Sequence, residues 1–554
     1  MCAVLGLAAL LCGLRIPVYL RAVDSGIIEQ AGRASHTLVD NGLTLVQENK
    51  LGAAQLVASA ARQQRLPGQE KLADAVARLT RGHPGWQSWG AGDTRVESLF
   101  GSDAAATNPA VVPLTDFMVS EEHRTPVLTE WLGASQRPLV QELLRFRSST
   151  NTAIFSPSDS SAGSVLDTAI CVCGLLVERG DLTTGLNDKM LAAAAAANAG
   201  ANSQPLEQAL LDMMSLGQRF NWGQMVTFIR RIDSLADLRV AASAVRNNED
   251  RLPVVFSAVQ LSGEPGAVGR YLQNFSQSGV DDLGWSLRYG AAGVNELLHR
   301  NQRVHHSATL ALPDWLLQLA WRAPLPALAL KWLLYAGSGF LLALALHFAR
   351  PPVSALERPL QVRGFHYARE ILFALGFLVV ILLVSEPFLA QESQKKTEIT
   401  LRLQLPSISS VAPGKATDGS SKFMNAKSLL TLLLFFVLQA LLYSASLVKL
   451  AEVRRQKVPS RVKLKLLENE EHLFDAGLYL GFAGTIVSLI LVSLGVMQPS
   501  LMAAYGSTSF GIIFVSIFKI FHLRPLRRKF LLEAESTPEQ PVNVPAGSPV
   551  AAQL

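Results

Sequence analysis

Apolar residues in this chain gather into blocks about as long as a bilayer is thick, and that clustering limits what it can fold into. The most compact example runs from Leu473 to Phe521: LFDAGLYLGFAGTIVSLILVSLGV, a short turn MQPS, then LMAAYGSTSFGIIFVSIFKIF. Each arm holds about 20 apolar or small residues, enough at ~1.5 Å per residue to cross a hydrocarbon core of ~30 Å as a helix. Small and hydroxylated residues recur at spacings of three and four. Gly477, Gly481, Gly484, Thr485 and Ser488 share one face of the first arm, and Ala504, Ser507, Thr508 and Gly511 share one face of the second. Helices in lipid gain little from burying leucine, so small residues mark the face on which two backbones approach. That face supports two readings: a packing seam, or a polar path lined by the Thr485 and Thr508 hydroxyls.

The same block pattern places further spans at about 326–348, 370–390 and 428–449, with the hairpin arms at 473–497 and 500–522. Residues 1–21 are apolar but interrupted by Arg15 and Pro17, and read as a membrane anchor or an atypical signal. Mean hydropathy is +0.25, the mark of a membrane protein with a soluble portion. The formal charge of +6 is concentrated beside the apolar blocks. Arg350, Arg358, Arg363 and Arg369 follow one span, a basic linker at 450–472 carries Arg454, Arg455, Lys457, Arg461, Lys463 and Lys465, and Arg524, Arg527, Arg528 and Lys529 follow the last. Lys and Arg collect on the cytoplasmic side, so these segments are expected inside, with the loop 391–427 and residues 22–320 outside. The location this implies is the inner (plasma) membrane, crossed several times, with membrane lipid as a partner. Residues 531–554 are Pro-rich and polar and read as a disordered cytoplasmic tail. No basic stripe is interleaved with aromatics, so nucleic acid is not an expected partner.

Residues 22–320 are soluble in character and patterned as helices. LTLVQENKLGAAQLVASAARQQ, EKLADAVARLTR, TEWLGASQRPLVQELLRFR and PLEQALLDMMSLGQRF all space apolar residues by three or four. The expected class is therefore mainly α: a polytopic α-helical membrane protein with a large all-α extracytoplasmic domain, built as antiparallel helices or an α-solenoid. The Ser/Asp/Gly-rich stretch 148–164 is the best internal divider. No HExxH, nucleophile elbow, P-loop or dinucleotide fingerprint appears, so neither an enzyme, a cofactor nor a metal is expected. Asp212 and Asp233 read as members of solvated helix faces, and Cys171 and Cys173 as buried small hydrophobes. Ionisable residues inside spans are functional candidates. Lys331 lies near a span end from which it can snorkel, Glu386 precedes Pro387 at an outer end, and Asp475 opens the first hairpin arm. Asp475 is the best of the three, because it shares a helix with Thr485 about 80° away around the axis.

The hairpin resembles the MotA/TolQ/ExbB proton channel family. GFAGTIVSLI is similar to the G-x-x-GT-x-x-G/S pattern of that family's second membrane helix, and SLMAAYGSTSFGIIFVSIF is similar to its third, which reads roughly ALxxTxxGLxxAIPA. Thr485 falls on the GT threonine, Thr508 on the threonine of TxxG, and Gly511 on its glycine. Ala503 stands where the ExbB/TolQ branch has a glutamate. The resemblance implies a homo-oligomer whose helices enclose a single-span partner with an intramembrane carboxylate, and ion flow past the threonines that drives motion. The expected path residues are Thr485, Thr508, Ser488, Ser507 and Asp475, with Gly477, Gly481, Gly484, Ala504 and Gly511 packing the helices. The competing reading is a non-conducting scaffold or sensor whose outer helices bind an envelope component or a protein.

Overall fold

The structure, a computed structural model, describes residues 1–93, 98, 113–149, 152–156, 163–306, 313–349, 368–388, 426–456, 458–493 and 501–536. Among the described residues it is helical almost throughout, with two strands of three residues each. The chain divides into two compact units, one formed by Pro17–Pro324, the other by Met1–Ile16 and the helices that follow Leu325. The expected outer loop 391–427 lies, up to residue 425, outside the described residues.

In the first unit the apolar spacing becomes a stack of helices. Ser164–Arg179, Gln204–Gly217, Leu235–Asn247 and Pro265–Ser286 each pack on the next of the four. Local signals set the ends. Thr37 and Asp40 form a capping box at Leu38–Gln47, and Asn221 and Gln224 form another at Trp222–Ile229. Gly180 ends Ser164–Arg179 in the left-handed region at φ +73°. Cys171 and Cys173 are fully buried free thiols on that helix, and burial pushes both up to about 12.

Several acidic residues are built into this unit's interior. Glu207 is fully buried, and its carboxylate accepts backbone N–H bonds from Ala153, Ile154 and Phe155 at 2.7, 2.6 and 2.8 Å. Burial alone would raise its pKa, but those amides and Ser203 outweigh it and hold the carboxyl below its usual range. Asp212 departs from the expectation of a solvated face. It is 2% exposed, accepts from Gln208 Nε2 at 3.2 Å, and burial raises its pKa. Asp233 is exposed as expected. Asp282 anchors the strand pair: β1 (Ala22–Asp24) runs parallel to β2 (Arg303–His305), with Val23 opposite Val304. Asp282 Oδ2 accepts from Arg303 Nε at 2.5 Å, the Tyr271 hydroxyl at 3.0 Å and the Val304 amide at 3.3 Å.

In the second unit we label α1 (Cys2–Leu14), α2 (Pro324–Ala349), α3 (Ala368–Ser385), α4 (Ala426–Arg455), α5 (Ser460–Asn469), α6 (Ala476–Ser493), α7 (Leu501–Phe518) and α8 (Arg524–Ser536). Among the described residues, Pro324–Phe348, Phe435–Arg455 and Gly506–Glu535 are helices long and apolar enough to cross a membrane, which points to a membrane protein. Cys2–Leu14, Glu370–Leu382 and Ala476–Ile486 are shorter apolar helical segments. α1 lies antiparallel on α2: Ser338 donates to Gly6 O at 2.8 Å, and a Cβ at Gly13 would meet the Tyr335 ring at 2.8 Å. The segment after α4, expected as a basic linker, is partly ordered as α5, which packs on α8. α8 continues to Ser536, so the first residues of the expected disordered tail are helical, and 537–554 lie outside the described residues.

Candidate functional site

Glycine weakens a helix in water by ~1 kcal/mol relative to alanine, yet α6 carries three on one side. The structure gives the reason. A Cβ at Gly481 would sit 2.8 Å from Ser507 O and 3.1 Å from Thr508 Cα, and one at Gly511 would sit 2.7 Å from Gly477 O. The α6 and α7 backbones touch at these positions. Gly484 instead faces Phe435 of α4, 3.3 Å from a built Cβ, as well as the Ser507 hydroxyl at 3.4 Å.

This close approach brings three hydroxyls onto one carbonyl. Gly481 O lies 3.0 Å from Thr485 Oγ1, 3.1 Å from Ser507 Oγ and 3.2 Å from Thr508 Oγ1. Thr485 Oγ1 is also 2.5 Å from Thr508 Oγ1 and 3.2 Å from Ser507 Oγ. A carbonyl oxygen offers two lone pairs and each hydroxyl has one proton to give. The three hydroxyls therefore cannot all donate to Gly481 at once, and the contacts of Thr485 with Ser507 and Thr508 can each carry one of their protons. In those contacts either oxygen can be the donor, so the chain of O–H bonds can point either way along the interface. A relay needs that reversibility, and it adds no charge to an apolar layer.

The predicted site residues separate into groups. Thr485, Ser507 and Thr508 meet, and Gly477, Gly481 and Gly511 make the contact that lets them. Asp475 does not join them. It precedes the first residue of α6, ten residues and about 15 Å from Thr485, and its carboxylate is paired with Lys519 Nζ at 2.7 Å. Lys519 opens a π-helical turn, Lys519–Leu523, that links α7 to α8. Ser488 and Ala504 lie on α6 and α7, but their side chains fall outside the described residues.

Gln439 of α4 is a member that reading the sequence missed. It is 2% exposed, and its Nε2 donates to Gly477 O at 2.8 Å, one helical turn from the hydroxyl cluster. Polar groups from two different helices thus address successive carbonyls, Gly477 and Gly481, of one face of α6. The signal was present in the sequence: a lone amide in the run FFVLQALLY, which in lipid turns toward other helices. Lys331 and Glu386 also differ from expectation. Lys331 is 1% exposed, with its Nζ 6.0 Å from the centre of the Tyr335 ring, and Glu386 is buried as well. Both are packed inside the helical unit rather than reaching out from its ends. Among the described residues no three His, Cys, Asp or Glu side chains converge as metal ligands would.

No protein-family model matches the chain, and neither a curated protein nor a solved structure matches it.

Proposed function

We propose that this chain is a multi-pass inner-membrane protein in which the α6–α7 hairpin forms part of a proton path, as the stator-type subunit of an ion-driven, energy-transducing complex. On this reading six spans carry the helical unit Pro17–Pro324, arranged as an α-solenoid, outside the cytoplasm. The observation that carries it is the convergence of Thr485, Ser507 and Thr508 on Gly481 O, a reversible hydroxyl chain on a surface where apolar packing alone would need no hydroxyls. The resemblance to the MotA/TolQ/ExbB family supports it from the sequence side, since two of the three hydroxyls fall on that family's threonines. Ala503 supplies no titrating group, so the carboxylate comes from a single-span partner enclosed by a ring of copies of this chain.

The full chain, reconstituted with that partner in vesicles containing a pH-sensitive dye, is expected to pass protons. The double substitution Thr485→Val with Thr508→Val keeps the shape, removes the relay and is expected to cut the flux by about 10²-fold, the scale of a lost proton-transfer group. Flux unchanged in the double variant refutes the path. The second reading is a non-conducting scaffold, favoured by the fact that the hydroxyls bond to protein atoms and so also serve as a packing seam. It predicts no flux from the wild type, and binding of an envelope component by the outer helices that the valines leave intact.

A further inference from the structure

Where α7 passes through its π-helical turn into α8, the helix surface changes from apolar to cationic along one line. Ile513, Ile517, Ile520 and Phe521 are all exposed on the apolar side. Just beyond them lies a groove of about 610 Å³ that contains Arg524, Arg528 and Lys529, with Ile520, Pro525 and Leu532 as its apolar wall. Ile520, Arg524, Arg528 and Leu532 follow one another at intervals of four, so they form a single row along the helix. Glu533 closes the far end, where it faces Lys529 at 3.9 Å and accepts from the Ser460 hydroxyl at 3.1 Å. Neighbouring arginines are used differently. Arg527 is paired with Glu468 of α5 at 3.2 Å, whereas among the described residues no carboxylate lies within ion-pair distance of Arg524 or Arg528.

We infer that this groove binds the phosphate headgroup of an anionic phospholipid, with the acyl chains lying along Ile520, Ile517 and Ile513. Charge complementarity commits the site to an anion, and two guanidinium forks one turn apart suit a phosphate, which they can hold with paired N–H bonds. The continuous apolar stripe commits it to a lipid, because a free phosphate has no use for exposed isoleucines. The inference needs α7 to lie in a bilayer, but it does not need the hairpin to conduct.

The test uses the full-length protein in neutral micelles doped with phosphatidylglycerol or with phosphatidylcholine, each carrying a fluorescent acyl chain. The wild type is expected to prefer phosphatidylglycerol by about 30-fold, from roughly a fivefold gain per interfacial arginine, and Arg524→Gln with Arg528→Gln is expected to remove that preference. Arg527→Gln, which breaks only the pair with Glu468, is expected to leave it in place. Equal binding of the two lipids by the wild type, or a preference unchanged in the double variant, overturns the proposal. Inorganic phosphate at millimolar concentration displacing the lipid as effectively as phosphatidylglycerol does would also overturn it, by making the site a soluble-anion site. Loss of proton flux in the threonine variants leaves the lipid preference untouched, so the two readings fail separately.

Discussion

Substituting Gly481 by alanine tests whether the hydroxyl cluster depends on backbone contact. The added Cβ would lie 2.8 Å from Ser507 O and 3.1 Å from Thr508 Cα, both main-chain atoms that cannot swing aside. Ordinary carbon contacts begin near 3.5 Å, so the two helices must part by about 0.7 Å. The interhelical bonds from Ser507 and Thr508 to Gly481 O, now 3.1 and 3.2 Å, then stretch past hydrogen-bond range. The Thr485 bond to the same carbonyl stays, because it lies within α6. Overpacking costs ~1–3 kcal/mol and each interhelical bond in lipid about 0.6 kcal/mol, offset by ~1 kcal/mol of helix propensity gained. The net expectation is a loss of about 1–3 kcal/mol. Reversible unfolding in mixed micelles, followed by energy transfer between probes on α6 and α7, measures it. Thr508→Val should cost less in the Gly481→Ala background than alone, since one of its bonds is already broken. Gly484→Ala, whose nearest neighbour is the Phe435 ring at 3.3 Å rather than backbone, should cost clearly less than Gly481→Ala. Strict additivity of Gly481→Ala and Thr508→Val, or a neutral Gly481→Ala, refutes the reasoning.

Two further outcomes concern the first unit. Glu207 has its pKa lowered on folding, so the stability it contributes is present above the ordinary glutamate value of ~4.3 and is lost as pH falls through the folded value. Glu207→Gln should therefore lower stability by about 2 kcal/mol at neutral pH, with a gap to wild type that closes in acid; a gap that persists at low pH in thermal unfolding of the full chain counts against the three-amide account. Cys171 and Cys173, pushed up to about 12 by burial, should resist a water-soluble alkylating reagent until the chain is unfolded, and mass spectrometry showing both modified in the folded protein would contradict their burial.

What the sequence made legible was whatever repeats along a helix. Apolar spacing located the helices of both units, and the glycine and hydroxyl spacing located the α6–α7 contact, because a face shared by residues three and four apart is fixed by helix geometry alone. Features set by packing between distant segments were not legible. Asp212 looks like any acidic residue on a helical pattern, and only the neighbours that cover it bury it. Gln439 joins the site because α4 lies against α6, a pairing across nearly forty residues that no local pattern encodes. The strands β1 and β2 are too short to alternate recognisably, and the bonds of Asp282 and Tyr271 with residues 302–304 come from elements distant along the chain from β1. Lys331 misled for a related reason: position near the end of an apolar run says nothing about which way a lysine turns when other helices stand beside it.

The parallel pairing of β1 with β2 has a consequence for how this chain is put together. It fastens residue 22 beside residue 303, so the chain between them closes on itself as one long loop. Everything between is one long segment whose two ends are held side by side. A segment closed in that way can lengthen, shorten or be exchanged without altering the strand pair that closes it, since its two ends keep the same separation. The closure entropy of so long a loop grows only with the logarithm of its length, so the size of the segment is nearly free to vary.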